Sequence, residues 1–202
     1  MIVIHSILDV ENNLDGIDGV VFDLDDTLYS EKDYVRSGFH AVAQLFPNDD
    51  TFEADLWSAF DAGKPAIDEV LIHRGLKQMK EKALSTYRKH HPLINLYPGV
   101  REMLLRLRVT HKLGIITDGR PEGQRAKLNV LKPPVDEIII TDELGGIEFR
   151  KPNKAAFLIM QQRFSIPFEK LGYVGDNLKK DFVAPQILGM KCFYFSNPNG
   201  LY

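Results

Sequence analysis

Cysteine occurs once in these 202 residues, as Cys192, so no disulfide can close within the chain, which suits a reducing compartment. No apolar run approaches the ~18 residues that a membrane span needs. The opening stretch from Met1 to Leu8 has neither a basic leader nor a small-residue cleavage site, so it does not read as a signal peptide. Charge of one sign is not in excess either. Lys plus Arg number 25 and Asp plus Glu 28, which leaves −3, too near balance for a general attraction to nucleic acid or acidic lipid. Internal repeats, low-complexity tracts and Gly/Ser linkers are missing as well. With 44% hydrophobic residues the chain has enough apolar surface to build a core, so wholesale disorder is excluded. These absences leave the expectation of a cytoplasmic globular protein, monomer or dimer, with no nucleic acid or membrane partner.

What is present is an alternation. Short apolar runs rich in β-branched residues occupy 19–22, 113–117, 137–141, 171–174 and 192–195, and amphipathic patterns occupy 100–108, 121–131, 153–164 and 178–188. Strand and helix in alternation imply right-handed crossovers, hence a parallel sheet covered on both faces: a doubly wound α/β core. The alternation breaks after Tyr29 and resumes at Pro98-Gly99. In between, 33–46, 52–62, 66–75 and 77–91 read as helices punctuated by Pro47, Pro65 and Pro92. The expected organisation is a Rossmann-like core of residues 1–29 and 97–202, with a small all-helical domain, 30–96, inserted after the first core strand. Residues 1–16 are ambiguous: 2–8 can add an edge strand, and 11–16 read as a polar turn.

In an open parallel sheet, ligands bind beyond the carboxyl ends of the strands, so the residues after each run carry the functional signal. The first run ends in Val-Val-Phe-Asp23-Leu-Asp25-Asp26-Thr27. A strand running straight on would point Asp23 and Asp25 to one side, where two neighbouring carboxylates need a cation or a shared proton. The plainer alternative is an Asp-rich turn that caps a helix. The second run ends in Thr117-Asp118-Gly119, with Pro121 at a helix start, a turn that can present a hydroxyl and backbone N–H groups to an anion. The third is followed by Arg150-Lys151-Pro152, where a Lys before a helix can meet a phosphate, although a lone surface Lys more often does nothing. The fourth ends in Gly175-Asp176-Asn177-Leu-Lys-Lys-Asp181, which adds two hard oxygen ligands of the kind Mg²⁺ favours. Singly each signal is weak. Jointly they project onto one edge of one sheet.

In this order the four motifs resemble those of the haloacid dehalogenase superfamily, over about two thirds of the chain. The helical stretch between the first and second motifs resembles that family's helical cap of the first type. The resemblance implies a phosphohydrolase with Mg²⁺ as cofactor. Asp23 would be the nucleophile, attacking phosphorus in line to form an aspartyl-phosphate. Asp25 would protonate the leaving alcohol and later deprotonate water, its neighbouring carboxylates helping it keep a proton near neutral pH. Asp23, the backbone carbonyl of Asp25, and Asp176 would hold the metal, with Asp181 as a further ligand or support. Thr117, Asp118, Gly119 and Lys151 would make up the phosphate site, and Lys151 would offset the charge that builds on the phosphoryl oxygens and on Asp23. Thr27 would buttress the loop. An acid two residues after the nucleophile, Asp25, speaks for phosphoryl transfer over carbon–halogen cleavage.

The chain also departs from its relatives. Asp118 stands where many carry Asn, which adds negative charge near a phosphate pocket unless it caps the helix at Pro121 or pairs with Arg120 or Arg125. Asn177 stands where a small hydroxyl residue is common. Arg36 and Tyr34 in the helical insert and Arg120 beside the second motif are substrate-contact candidates; the plainer alternative packs Tyr34 and Phe39 and leaves Arg36 solvated. His73, His90 and His91 lack a spacing that argues for zinc. The expected substrate is a small phosphorylated metabolite, such as a sugar phosphate or nucleotide. One rival is a phosphomutase with the same motifs. Another, from a different class, is a receiver-like phospho-acceptor domain, which would carry its acceptor on a later strand and no helical insert.

Overall fold

The structure, a computed structural model, describes residues 1–201. Six parallel strands make one sheet: β1 (Ile2–Ile4), β2 (Gly19–Phe22), β3 (Lys112–Thr117), β4 (Glu137–Ile140), β5 (Leu171–Gly175) and β6 (Lys191–Phe195). Their spatial order is β1-β6-β5-β2-β3-β4. From β2 the chain steps outward to β3 and β4, then crosses back to lay β5 and β6 on the other side. That reversal puts a topological switch point beside β2, with the ends of β3 and β5 flanking it. All of β2 is buried, as is β3 from Leu113 to Thr117, which is why these runs read as continuously apolar rather than alternating.

Helices α5 (Val100–Leu107), α6 (Pro121–Leu131), α7 (Ala155–Phe164) and α8 (Val183–Leu188) belong to the same unit as the sheet. On α5 the buried residues are Val100, Met103, Leu104 and Leu107, one apolar stripe at helical spacing. Val21, Ile116, Ile139, Phe157, Met160 and Tyr173 share a core cluster that joins the sheet to α7. Each such side chain contributes about 1.5–3 kcal/mol by leaving water.

The chain divides into two compact units, Met1–Glu31 with the chain from Asn95 onward, and Lys32–Ile94. The second consists of α1 (Glu31–Ala43), whose first residue lies in the core unit, with α2 (Phe52–Asp61), α3 (Ala66–His73) and α4 (Lys80–Lys89). It has its own core of Phe39, Val42, Phe52, Leu56, Val70 and Leu71. Phe39 meets Trp57 and Phe60 edge-on, with centroids 5.3 and 5.9 Å apart, and Tyr34 is buried against Tyr87. No helix among the described residues is long and apolar enough to cross a membrane.

Three segments differ from the sequence pattern. The edge strand stops at Ile4, short of the expected 2–8, because Ser6 and Asp9 cap each other's backbone N–H groups and start a 3₁₀ helix over Ile7–Asn13, which also takes in the first part of the polar turn expected over 11–16. The helix expected from 178 begins only at Val183, since Asp181 folds back to accept the N–H of Asn177 at 2.9 Å. The helix expected over 77–91 is a 3₁₀ turn, Lys77–Met79, followed by α4.

Candidate active site

Asp23 is the residue at which β2 stops being strand, yet its N–H still donates to the carbonyl of Val174 on β5 at 2.8 Å, which fixes its backbone. Its carboxylate is buried and accepts from Lys151 Nζ at 2.5 Å. The same ammonium lies 2.8 Å from Asp181 Oδ1 and donates to Tyr173 Oη at 3.0 Å. Asp23, Asp176 and Asp181 each bring one carboxylate oxygen within 4.8 Å of the others. A side chain at Gly175 would put its Cβ 2.5 Å from Asp181 Oδ2, so only glycine at this strand end leaves room for the Asp181 carboxylate. Thr27 Oγ1 stands 3.5 Å from Asp176 Oδ1, a weak contact that leans on the loop.

Burial dominates the electrostatics here. It pushes Asp23 up to about 7, with Lys151 opposing and Asp181 adding. It pushes Asp176 up to about 8, reinforced by Asp23 and Asp181. Burial alone would lower Lys151, but Asp181 and Asp23 hold it well above its ordinary value. Clustered acids that keep protons are acids in need of a cation. Asp176 Oδ2 is buried with no hydrogen-bond partner among the described residues, and all the donors are hard oxygens, so the cluster fits a divalent ion.

Two residues on, Asp25 lives in another pocket. Strand β2 ends at Phe22 and the chain turns at Asp26, where φ is +52°; the Asp25 carboxylate meets different partners from that of Asp23. Asp25 Oδ1 accepts from Lys127 Nζ at 2.6 Å and from the Tyr29 hydroxyl; Oδ2 accepts from Gln124 Nε2 at 2.8 Å. Burial would raise this carboxyl, but the charge and hydrogen bond of Lys127, with the bonds from Tyr29 and Gln124, hold it below its ordinary value. The neighbouring carboxylates therefore do not keep a proton on Asp25 in this geometry. Its side chain is outside the Asp23–Asp176–Asp181 cluster.

Thr117 ends β3 fully buried, and its hydroxyl has no partner among the described residues. Asp118 is placed differently from expectation. It neither caps α6 nor pairs with Arg120 or Arg125; Arg125 bonds Glu143 at 2.6 Å instead. Asp118 Oδ1 accepts from Thr141 Oγ1 at 2.9 Å and from the N–H of Lys151 at 3.0 Å, and Oδ2 lies 3.7 Å from Lys180 Nζ. These contacts brace the loop that delivers Lys151, and Lys180 answers the charge of Asp118. At Gly119 φ is +135°, and a Cβ there would sit 2.9 Å from Gln124 Nε2. Glycine thus clears the path by which Gln124 reaches Asp25. Asn177 Oδ1 accepts the N–H of Lys179 at 3.0 Å.

Arg120 is exposed at the start of α6. Arg36 is exposed on α1, paired with Asp33 and 6.0 Å over the Trp57 ring. His90 bonds Ser37 Oγ at 2.7 Å and the Tyr87 carbonyl at 2.6 Å, a structural arrangement. Among the described residues, the Asp cluster is the only group of three or more His, Cys, Asp or Glu placed to hold a metal.

Several site residues stand outside the four motifs: Tyr29, Gln124, Lys127 and Tyr173. The buried residues of α6 are Gln124, Lys127 and Leu131, spaced three and four apart. Two polar residues on the inward stripe of a helix are a signal that motif reading passes over.

A sequence model described as haloacid dehalogenase-like hydrolase matches residues 20–195. A glyceraldehyde 3-phosphate phosphatase of Methanocaldococcus jannaschii is 28% identical over 196 residues, covering 86% of this chain and 82% of that one. A haloacid dehalogenase-superfamily hydrolase of Geobacter sulfurreducens superposes with a TM-score of 0.70 at 16% identity, over 91% of this chain and 89% of that one. The YfnB hydrolase of Bacillus subtilis, solved bound to magnesium, superposes with a TM-score of 0.65 at 21% identity, over 88% and 86%. The two structural likenesses concern the fold; the sequence match spans all four strand-end motifs, and by it the chain belongs to the haloacid dehalogenase-like hydrolases.

Proposed function

We propose that this hydrolase is a Mg²⁺-dependent phosphomonoesterase that works through an aspartyl-phosphate on Asp23. One observation carries the reading: a buried carboxylate gripped by Lys151 stands in a cluster with Asp176 and Asp181, at the switch point of a parallel sheet. Asp23, Asp176 and Asp181, with the backbone carbonyl of Asp25, would hold the ion. When bound, it cancels the repulsion between an anionic nucleophile and a phosphate dianion.

Asp23 forms a bond to phosphorus as the bond to the leaving alcohol breaks, and Asp25 gives that oxygen its proton. Water then attacks the aspartyl-phosphate, Asp25 takes the water's proton, and phosphate departs with Asp23 restored. The proton gained in the second step is the one needed for the next first step, so the cycle balances. The buried, unpartnered hydroxyl of Thr117 is set to donate to a phosphoryl oxygen, and Lys151 neutralises charge that grows there. The helical unit Lys32–Ile94 is inserted in the chain where the family's helical cap stands, and we assign it recognition of the leaving group.

Relatives in Methanocaldococcus jannaschii and Methanopyrus kandleri carry the name glyceraldehyde 3-phosphate phosphatase, which favours a short phosphorylated carbon chain as substrate. The test is phosphate release with Mg²⁺ from glyceraldehyde 3-phosphate, 2-phosphoglycolate, hexose phosphates and nucleoside monophosphates, run beside Asp23→Asn. Turnover of at least one compound by the parent and none by the variant is expected; no release above the variant across the panel overturns the assignment.

A further inference from the structure

Helix α6 turns two polar side chains inward, and both end on the same carboxylate. Gln124 and Lys127 lie one helical turn apart and are almost fully buried, at 4% and 5% exposure. Gln124 donates to Asp25 Oδ2 at 2.8 Å and Lys127 to Oδ1 at 2.6 Å, with the Tyr29 hydroxyl adding a second bond to Oδ1. A lysine is almost never buried without a partner, and the Lys127 ammonium also lies 5.9 Å over the Tyr29 ring. The open φ of Gly119 is what gives Gln124 its passage. Donors on both oxygens leave a carboxylate one orientation. Without them, the side chain of Asp25 would be free to change rotamer.

We propose that Lys127 and Gln124 are positioning residues for the reaction: they hold the Asp25 carboxylate out of the metal cluster and aimed at the proton it must move. This rests on the assignment of Asp25 as the acid and base of phosphomonoester hydrolysis. It makes the second motif's helix, and not only its Thr117, part of the catalytic apparatus. Neither side chain touches the reacting atoms; both act through Asp25.

The test is a cycle of Lys127→Met, Gln124→Ala and Asp25→Asn, read by phosphate release from glyceraldehyde 3-phosphate and 2-phosphoglycolate. Lys127→Met is expected to lower kcat by at least about 20-fold with KM within about twofold, inside the range that general acid–base catalysis supplies. In the Asp25→Asn background it is expected to add no further loss, because the group it serves is gone. Lys127→Arg is expected to recover part of the rate. A structural defect would multiply with Asp25→Asn, and that outcome overturns the proposal. So does a Lys127→Met enzyme with kcat near that of the parent. Crystal structures of Lys127→Met and Gln124→Ala give a readout that needs no turnover: the Asp25 carboxylate should rotate or lose its single orientation. An unmoved Asp25 in both variants overturns the positioning role, whereas an inactive parent overturns only the function assigned above.

Discussion

Asp23 and Asp25 are two residues apart on the chain, and the pockets around them are built on opposite principles. Asp23 sits among acids, so burial and Asp181 push it up to about 7 although Lys151 holds one of its oxygens. Asp25 sits among donors, and Lys127, Tyr29 and Gln124 draw it below its ordinary value against burial of the same kind. The first pocket is short of positive charge, and under the proposed function a cation would complete it. The second is already satisfied by the protein. Two carboxylates this close in sequence thus have surroundings that shift them in opposite directions.

The sharpest way to test the contrast is to neutralise each acid in turn. Asp23→Asn should lower kcat by at least about 10³-fold, since an amide cannot serve as nucleophile. Asp25→Asn should cost about 10²–10³-fold and still allow Asp23 to become phosphorylated. Rapid-quench measurement of acid-stable phosphoenzyme distinguishes them: label trapped on Asp23→Asn, or equal losses in both, would erase the division of labour.

Lys151→Met comes next. The ammonium touches both Asp23 and Asp181, so its loss should lower kcat by about 10²-fold or more, as loss of a charge-stabilising donor does. Stability should fall by less than the about 3–5 kcal/mol typical of a broken buried pair, because Asp23 can take up a proton. Denaturant melts and kcat on the same preparation check both parts. A fully active Lys151→Met enzyme would show that the Lys151–Asp23 pair is not needed for the reaction.

A smaller effect concerns pH in the absence of metal. Asp23 and Asp176, raised to about 7 and about 8 from 3.8, hold protons in the folded chain that the unfolded chain has already released. The stability they contribute is therefore greatest in acid and is lost as pH climbs from about 4 toward about 8. Asp25, which is lowered, works in the opposite sense, and only below its ordinary range. With chelator present, the protein should melt lower at about pH 8.5 than at about pH 6, and added Mg²⁺ should raise Tm more at the higher pH. Equal Mg²⁺ increments at both values would show that the acids of the first pocket are not the ones that receive the ion.

The contrast also explains which parts of the molecule were legible in sequence. The sheet, its switch point and the four strand ends follow from apolar runs that stop at Asp23, Thr117, Asp142 and Gly175, because a strand buried on both faces writes itself as a continuous run. The Asp23 pocket is built from those strand ends and was visible for that reason. The Asp25 pocket is not. Its donors, Gln124 and Lys127, come from inside a helix about a hundred positions along the chain, and their meeting depends on how α6 lies on the sheet. The turn at Asp26, by contrast, is the Asp-rich turn that the sequence offers as the plainer alternative: Asp tolerates positive φ, and its Oδ1 accepts the N–H of Glu31 at the start of α1 at 2.8 Å. The shortened α8 is the same lesson in reverse: helical periodicity yields where Asp181 is needed as an acceptor for Asn177.

The least effect is expected at Asp118, where sequence alone suggested harm. A second carboxylate close to a phosphate pocket should weaken anion binding, yet Oδ1 is occupied by Thr141 and the Lys151 N–H, and only Oδ2 carries its charge toward Lys180. Asn presents the same Oδ1 acceptor, so Asp118→Asn should leave kcat and KM within about threefold. Removal of the acceptor in Asp118→Ala should be worse, by about 1–3 kcal/mol in stability, because two donors lose their partner. If Asn proves as damaging as Ala, the negative charge itself matters, and the Asp118–Lys180 pair would join the Asp23 pocket as part of its electrostatics instead of as scaffolding. Kinetics of the two variants beside Lys180→Met decide it: in the scaffolding case the Asn variant and Lys180→Met each stay near the parent, whereas a charge-coupled pair would show both singly impaired and the double variant partly restored.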